Sequence, residues 1–213
     1  MADACPIKKA KFNFEHSGEF DEDDEVTFTF PKENNKQLFF SKLILTRSSS
    51  AFEAMFKHDF KERKDKNVII EDIKMEVFNT FFRWCDPKLS EPITAENVFQ
   101  MVEFADKYQI ESMIQHYRRV MLDIVNKAFE QAKMHFHRSS SDVEQIVMVL
   151  LVATKYNYKE LLDRAEDYLV CYEVKELLSK DPFEKLPLEL KYRILSRRIS
   201  KVYQEVGFAH AVN

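Results

Sequence analysis

Residues 25–30, Glu-Val-Thr-Phe-Thr-Phe, put Val26, Phe28 and Phe30 on one side of an extended chain and the threonines on the other. This is the two-residue period of a half-buried strand. The sequence from there to Leu122 narrows the fold further. After the strand come a short helical pair, another β-rich run and four amphipathic helical segments, all within about a hundred residues. One small sheet against several helices is the layer arrangement that such an order can bury.

Particular residues carry that order. Leu38-Phe39-Phe40-Ser41-Lys42-Leu43-Ile44-Leu45 runs into Ser48-Ser49-Ser50-Ala51-Phe52-Glu53-Ala54-Met55-Phe56, where Ser50 and Glu53 have capping-box spacing. Phe60-Lys61-Glu62 leads to a strand at Val68-Ile69-Ile70 and then Asp72. An acid-led strand at Glu25, a basic Lys42, Leu45, Ser49, Phe52-x-x-Met55-Phe56, Phe60-x-Glu62, Ile70 and Asp72 together resemble the BTB (POZ) domain. The resemblance continues through Val77-Phe78, Phe81-Phe82, Glu96-Asn97-Val98 and Phe104-Ala105-Asp106-Lys107-Tyr108-Gln109-Ile110. Around Asp86-Pro87 and Pro92-Ile93-Thr94 the wording is most similar to the expanded nematode set of this family. It departs from the family pattern at Phe40-Ser41, where many relatives have Ala-His, and at Asp86, where an aromatic is common. Gly18 and an acid run stand where many dimeric relatives carry an amphipathic helix. The implied fold is α+β: a BTB/POZ domain, with a small sheet flanked by a helical cluster, followed by an all-helical C-terminal extension.

Composition removes several classes of function. With 213 residues, 45% of them hydrophobic and 19 of them Phe, the chain can bury a real core. Only the start, to about Asp24, reads as loose. Net charge is -4, with no face rich enough in Lys and Arg for a phosphate backbone, so nucleic acid is not an expected partner. Gly18 and Gly207 are the two glycines, which leaves no P-loop, dinucleotide turn or nucleophile elbow. His135 and His137 are two apart, so a helix sends their rings to different sides, and no metal site is expected. Cys85 lies beside Trp84 on an apolar helix face, where a thiol is ordinarily packed. Cys5, Cys85 and Cys171 are odd in number and in no paired motif, which fits free thiols in the cytoplasm or nucleus. The N-terminus lacks the apolar core of a signal peptide, and the longest apolar run, Ile146 to Ala153, is too short to span a bilayer. No catalytic residue, cofactor or membrane contact is expected.

The pattern divides the chain into a polar lead-in at 1–24, a BTB/POZ domain at 25–122, a connecting helix with a Ser-rich boundary at 123–141, and a helical extension at 142–213. The acids Glu19, Asp21, Glu22, Asp23, Asp24 and Glu25 read as solvated charge. Thr94 is the expected N-cap of a helix carrying Val98, Met101, Val102 and Ala105. Met113, Ile114, Tyr117 and Met121 mark the next helix, and Ile124, Val125, Ala128 and Ala132 sustain a face beyond it. Ser141 and Glu144 again have capping-box spacing. Ala153-Thr154-Lys155-Tyr156, followed by Leu161-Leu162, echoes Ala105-Asp106-Lys107-Tyr108, followed by Met113-Ile114. The echo is a paired-helix unit used twice, and residues from Asp142 to Leu178 resemble the helix pair that follows the BTB domain in cullin-3 adaptors. Leu186-Pro187-Leu188-Glu189-Leu190 resembles the opening of an F-box, but too little chain follows, so it reads as a last packing helix.

The resemblance also implies a site. In cullin-3 adaptors a hydrophobic residue, any residue and Glu follow the Met-Phe helix and contact the cullin; here Phe60 would be the apolar anchor and Glu62 its polar partner. Glu25 and Lys42 match an acidic and a basic position that form a charged pocket in many BTB dimers, against the plainer reading of an ordinary ion pair. The expected function is a non-enzymatic protein-protein interaction module acting as a cullin-3 ubiquitin ligase adaptor. The alternative is a BTB-only scaffold or decoy. Expected partners are a cullin-3-type scaffold, the chain itself or another BTB protein, and an unknown substrate protein.

Overall fold

The computed structural model describes residues 14–57, 65–135, 140–171, 177 and 181–211. They fall into two compact units, one drawn from Met1–Pro92 and Glu103–Met113 and the other from Ile93–Val102 and Ile114–Asn213.

The first unit is built on a three-stranded sheet of order β2-β1-β3. Strand β1 (Glu25–Phe30) pairs antiparallel with β2 (Lys36–Ser41), Glu25 opposite Ser41 and Phe28 opposite Leu38. It pairs in parallel with β3 (Asn67–Ile69), Phe28 opposite Val68. Val26, Phe28 and Phe30 are buried on one face, as the alternation requires. Helices α1 (Lys42–Ser48), α2 (Ser50–Lys57) and α3 (Met75–Cys85) follow. Phe78, Phe81 and Phe82 of α3 lie four or fewer positions apart on its buried side. Phe78 and Phe82 meet the sheet ring to ring, while Phe81 meets Phe52 and Phe104. Phe40 stacks on Phe82 at 4.1 Å, and Phe28 lies 5.2 Å from Phe78. Phe52 of α2 stacks on Tyr108 at 4.7 Å. The lead-in is not loose throughout: Phe14 is buried, 5.2 Å from Phe40, and its carbonyl accepts the Phe39 N–H at 2.7 Å. A single ring in a polar stretch has no periodicity to announce it.

Ser49, and not Ser50, caps α2. Its hydroxyl oxygen accepts the Phe52 N–H at 3.1 Å and its O–H donates to the Tyr108 carbonyl, while Ser50 donates to Gln109 at 2.9 Å. One buried side chain thus closes one helix start and holds the end of α4 (Val98–Lys107). Thr94 sits a turn before α4: its carbonyl accepts the Val98 N–H at 3.0 Å, and its own N–H donates to Asn97 Oδ1 at 2.9 Å. Lys107 reaches Asp72 at 2.6 Å, joining two positions of the family pattern and holding the Asp72 carboxyl below the usual range, first through that hydrogen bond.

Helix α5 (Glu111–His135) is continuous, so the expected boundary at 122/123 falls within one helix. In the second unit α6 (Ser140–Lys155) buries Val143, Ile146, Val147 and Leu150 and forms a hairpin with α7 (Lys159–Leu169). The sequence echo has a physical content. At the end of α4 the Ile110 N–H reaches back to the Ala105 carbonyl at 2.9 Å with Gln109 left-handed at φ 50°; at the end of α6 the Tyr158 N–H reaches Ala153 at 2.9 Å with Asn157 at φ 55°. Both helices stop by the same left-handed turn. The hydroxyls of Tyr117 and Tyr158 are 2.6 Å apart.

A short α8 (Asp181–Glu184) precedes α9 (Leu188–Ala211). Leu190 and Ile194 are buried, which makes α9 a packing helix, and Leu186 just before it is buried as well. Glu166 of α7, with 4% of its side chain exposed, accepts from Arg193 Nε at 3.0 Å and from Arg197 at 3.3 Å. Arg197 also donates to Asp167 at 2.6 Å.

Two substitutions test these junctions. Ser49→Ala removes a cap and a buried hydrogen bond together and is expected to cost about 1–3 kcal/mol in urea unfolding. Glu166→Gln leaves two half-exposed guanidinium groups without a full counter-charge; about 2 kcal/mol is expected by the same measurement.

Candidate docking surface

The start of α1 is fixed by an acid that reads as solvated in the sequence. Asp24 Oδ1 accepts the Leu43 N–H at 2.8 Å, Oδ2 accepts the Ser41 O–H, and its carbonyl accepts the Lys42 N–H at 2.7 Å. Ser41 in turn accepts the Ile44 N–H at 3.2 Å. A carboxylate here meets the unpaired N–H groups and positive end of the helix. The signal was present as an acid just before a strand whose partner ends at Ser41, but five other acids around it hid the one that caps a helix.

With α1 anchored, α1 and α2 frame a hollow of about 390 Å³ lined by Lys42, Thr46, Arg47, Glu53, Phe56 and Lys57. Phe56 closes its floor while three cations and one acid surround it. Leu43 on the same hairpin is 51% exposed. Phe60 and Glu62 lie outside the described residues. Glu25 and Lys42 flank the β1–β2 end: Glu25 Oε2 accepts the Gly18 N–H at 2.7 Å, and Lys42 turns to the hollow. No ion pair joins Glu25 and Lys42 among the described residues.

The second unit has a hollow of about 510 Å³ whose walls include Ile93, Val120 and Ile124 together with Glu96, Asp123 and Asp142. The Glu96 carboxyl is held below its usual range, first by a hydrogen bond from Thr94. Neither hollow is lined by His or Cys, so the groups that face them can bind and orient but supply no nucleophile of the thiol or imidazole kind. Among the described residues no cluster of His, Cys, Asp and Glu could hold a metal ion, and His137 lies outside them. No helix among them is long and apolar enough to cross a membrane. Cys85 is half-buried and donates weakly to the Phe82 carbonyl. Burial, and after it the charge of Asp86, pushes its thiol far above the ordinary range.

The family model of the BTB/POZ domain matches residues 18–124. Among curated proteins the chain is similar to BTB and MATH domain-containing protein 38 of Caenorhabditis elegans, with 34% identity over 42% of this chain and 23% of that protein. It is also similar to human Kelch-like protein 6, with 23% identity over 72% of this chain and 22% of that protein. The second similarity is longer than the family segment and everything before it, so it runs into the helices that follow. The chain spans under a quarter of the length of either relative.

A thiol held neutral by burial is a poor nucleophile. Cys85 is expected to react with iodoacetamide at pH 8 at least about tenfold more slowly in the folded protein than in urea, as read by mass spectrometry of its peptide.

Proposed function

Because the chain belongs to the BTB/POZ domain family, we propose that it is a protein-interaction module that works as a cullin-3 adaptor, holding a second protein close to a ubiquitin ligase without making or breaking a bond itself. The observation that carries this reading is a BTB segment followed by a helical hairpin, α6–α7, together with a similarity to a Kelch-like protein that extends past the end of the BTB segment. Proximity alone is chemically sufficient, since holding reactants together replaces much of the entropy of encounter.

The docking element in this reading is the α1–α2 hollow and the segment after it. Phe60 supplies a ring for a pocket on the cullin, and Glu62 orients the pair, in the usual division between a buried anchor and a rim charge. The cations Lys42, Arg47 and Lys57 around the hollow add electrostatic attraction for an acidic stretch of the partner. Glu25 and Lys42 remain available to a second BTB domain. The substrate protein meets the helical unit or arrives on another subunit. The reduced thiols of Cys85 and Cys171 suit the cytoplasm or nucleus.

Calorimetric titration with the N-terminal half of cullin-3 tests the proposal. The chain should bind, and Phe60→Ala should weaken binding by about 2 kcal/mol, roughly thirtyfold, with its melting temperature unchanged. Equal binding by the variant removes Phe60 from the site, and absence of binding by the unaltered chain removes the adaptor role. Binding without ubiquitin transfer in a reconstituted reaction would make the chain a decoy.

A further inference from the structure

Helix α9 is apolar on two opposite sides. Leu190 and Ile194 face its own unit, where Arg193, Arg197 and Lys191 are also held, by Glu166, Asp167 and Glu184. About half a turn round the helix a second stripe points to solvent. Leu188 is 82% exposed, Tyr192 73%, Ile199 50%, Val202 39% and Tyr203 75%, with half-buried Leu195 among them. From Leu188 to Tyr192, Leu195, Ile199 and Val202 the steps are four, three, four and three residues. That average of 3.5 is the repeat of a helix seam made to meet another helix along its length, whereas a stripe facing a globular core follows 3.6 and is not left in water.

We propose that this outer stripe of α9 is a dimerisation surface, and that its occupant is the same helix of a second copy of the chain. The geometry of the stripe is the first argument. A straight apolar seam of Leu188, Tyr192, Leu195, Ile199 and Val202 can pack along a second copy of itself, and a two-fold pair needs the same patch on both partners. Size is the second argument. Side chains exposed to this degree present on the order of 600 Å² of surface, so two copies face to face bury on the order of 1,200 Å², the lower end of what a specific stable interface requires. Charge is the third. Lys191, Arg193 and Arg197 are neutralised inside their own unit, so these cations leave little field to select an acidic partner or repel a second copy. This surface is separate from the α1–α2 hollow and does not depend on cullin binding.

Light scattering on the size-fractionated full chain tests it, comparing the unaltered protein with Ile199→Glu, Tyr192→Glu and Ile199→Leu at one micromolar-range concentration. The unaltered chain and Ile199→Leu should show twice the mass of either Glu variant, and the Glu variants should keep the helical circular dichroism and melting temperature of the original, because both side chains already lie in solvent. The proposal is overturned by equal masses throughout. A mass of 25.4 kDa for all four would mean that the stripe meets a different protein or none. A doubled mass for all four would mean that dimers form through another surface, such as the BTB face.

Discussion

The first unit rests on phenylalanine rings buried between a sheet too small to be stable alone and the helices that cover it. Three strands of three to six residues carry few hydrogen bonds and one usable face. Phe28 and Phe40 from that face meet Phe78 and Phe82 from α3, and Phe52 and Tyr108 continue the same cluster. Rings of this size bury about 150–250 Å² each, so a handful of them outweighs the short ladders. Two polar contacts then decide how the helices enter. Asp24 fixes the first turn of α1, and Ser49 fixes the first turn of α2 while holding the carbonyl of Tyr108. Several residues that mark the family are thus structural ties, Asp72 and Lys107 included.

How much of this was legible depended on the kind of signal. Strand β1 was readable to the residue because its alternation is strict, and the α+β fold with a helical extension was implied by the family resemblance. The cap of α2 was misplaced by one residue because Ser48, Ser49 and Ser50 stand in a row and only the backbone turn chooses among them. Asp24 and Phe14 were lost in polar surroundings for the same reason: a long-range partner leaves no local period. Of the expected site, Phe60 and Glu62 could be read only through resemblance, since a short loop motif has no periodicity, and they fall outside the described residues. The hollow that precedes them was not legible, because it is formed by the angle between two short helices.

In the second unit the two-helix echo was visible in sequence, but its cause was not. Ala105 and Ala153 recur because each helix ends where a left-handed residue turns the chain and an N–H folds back on that alanine's carbonyl. Glu166 stood in an apolar face between Ala165 and Tyr168, where a carboxylate is out of place unless it is paired. Its partners lie near the far end of the chain, and no nearby spacing could name them.

The unbroken run of α5 limits which changes of length its sequence can absorb. The segment shared with the family ends at residue 124, yet the helix that carries it continues to His135 without a loop. Each residue gained or lost there would turn the later residues of the helix by about 100° about its axis and shift them by about 1.5 Å along it. An insertion there keeps the apolar positions before and after it on one stripe only in steps near whole turns, so the length of the helix across residue 124 is held to a narrow choice.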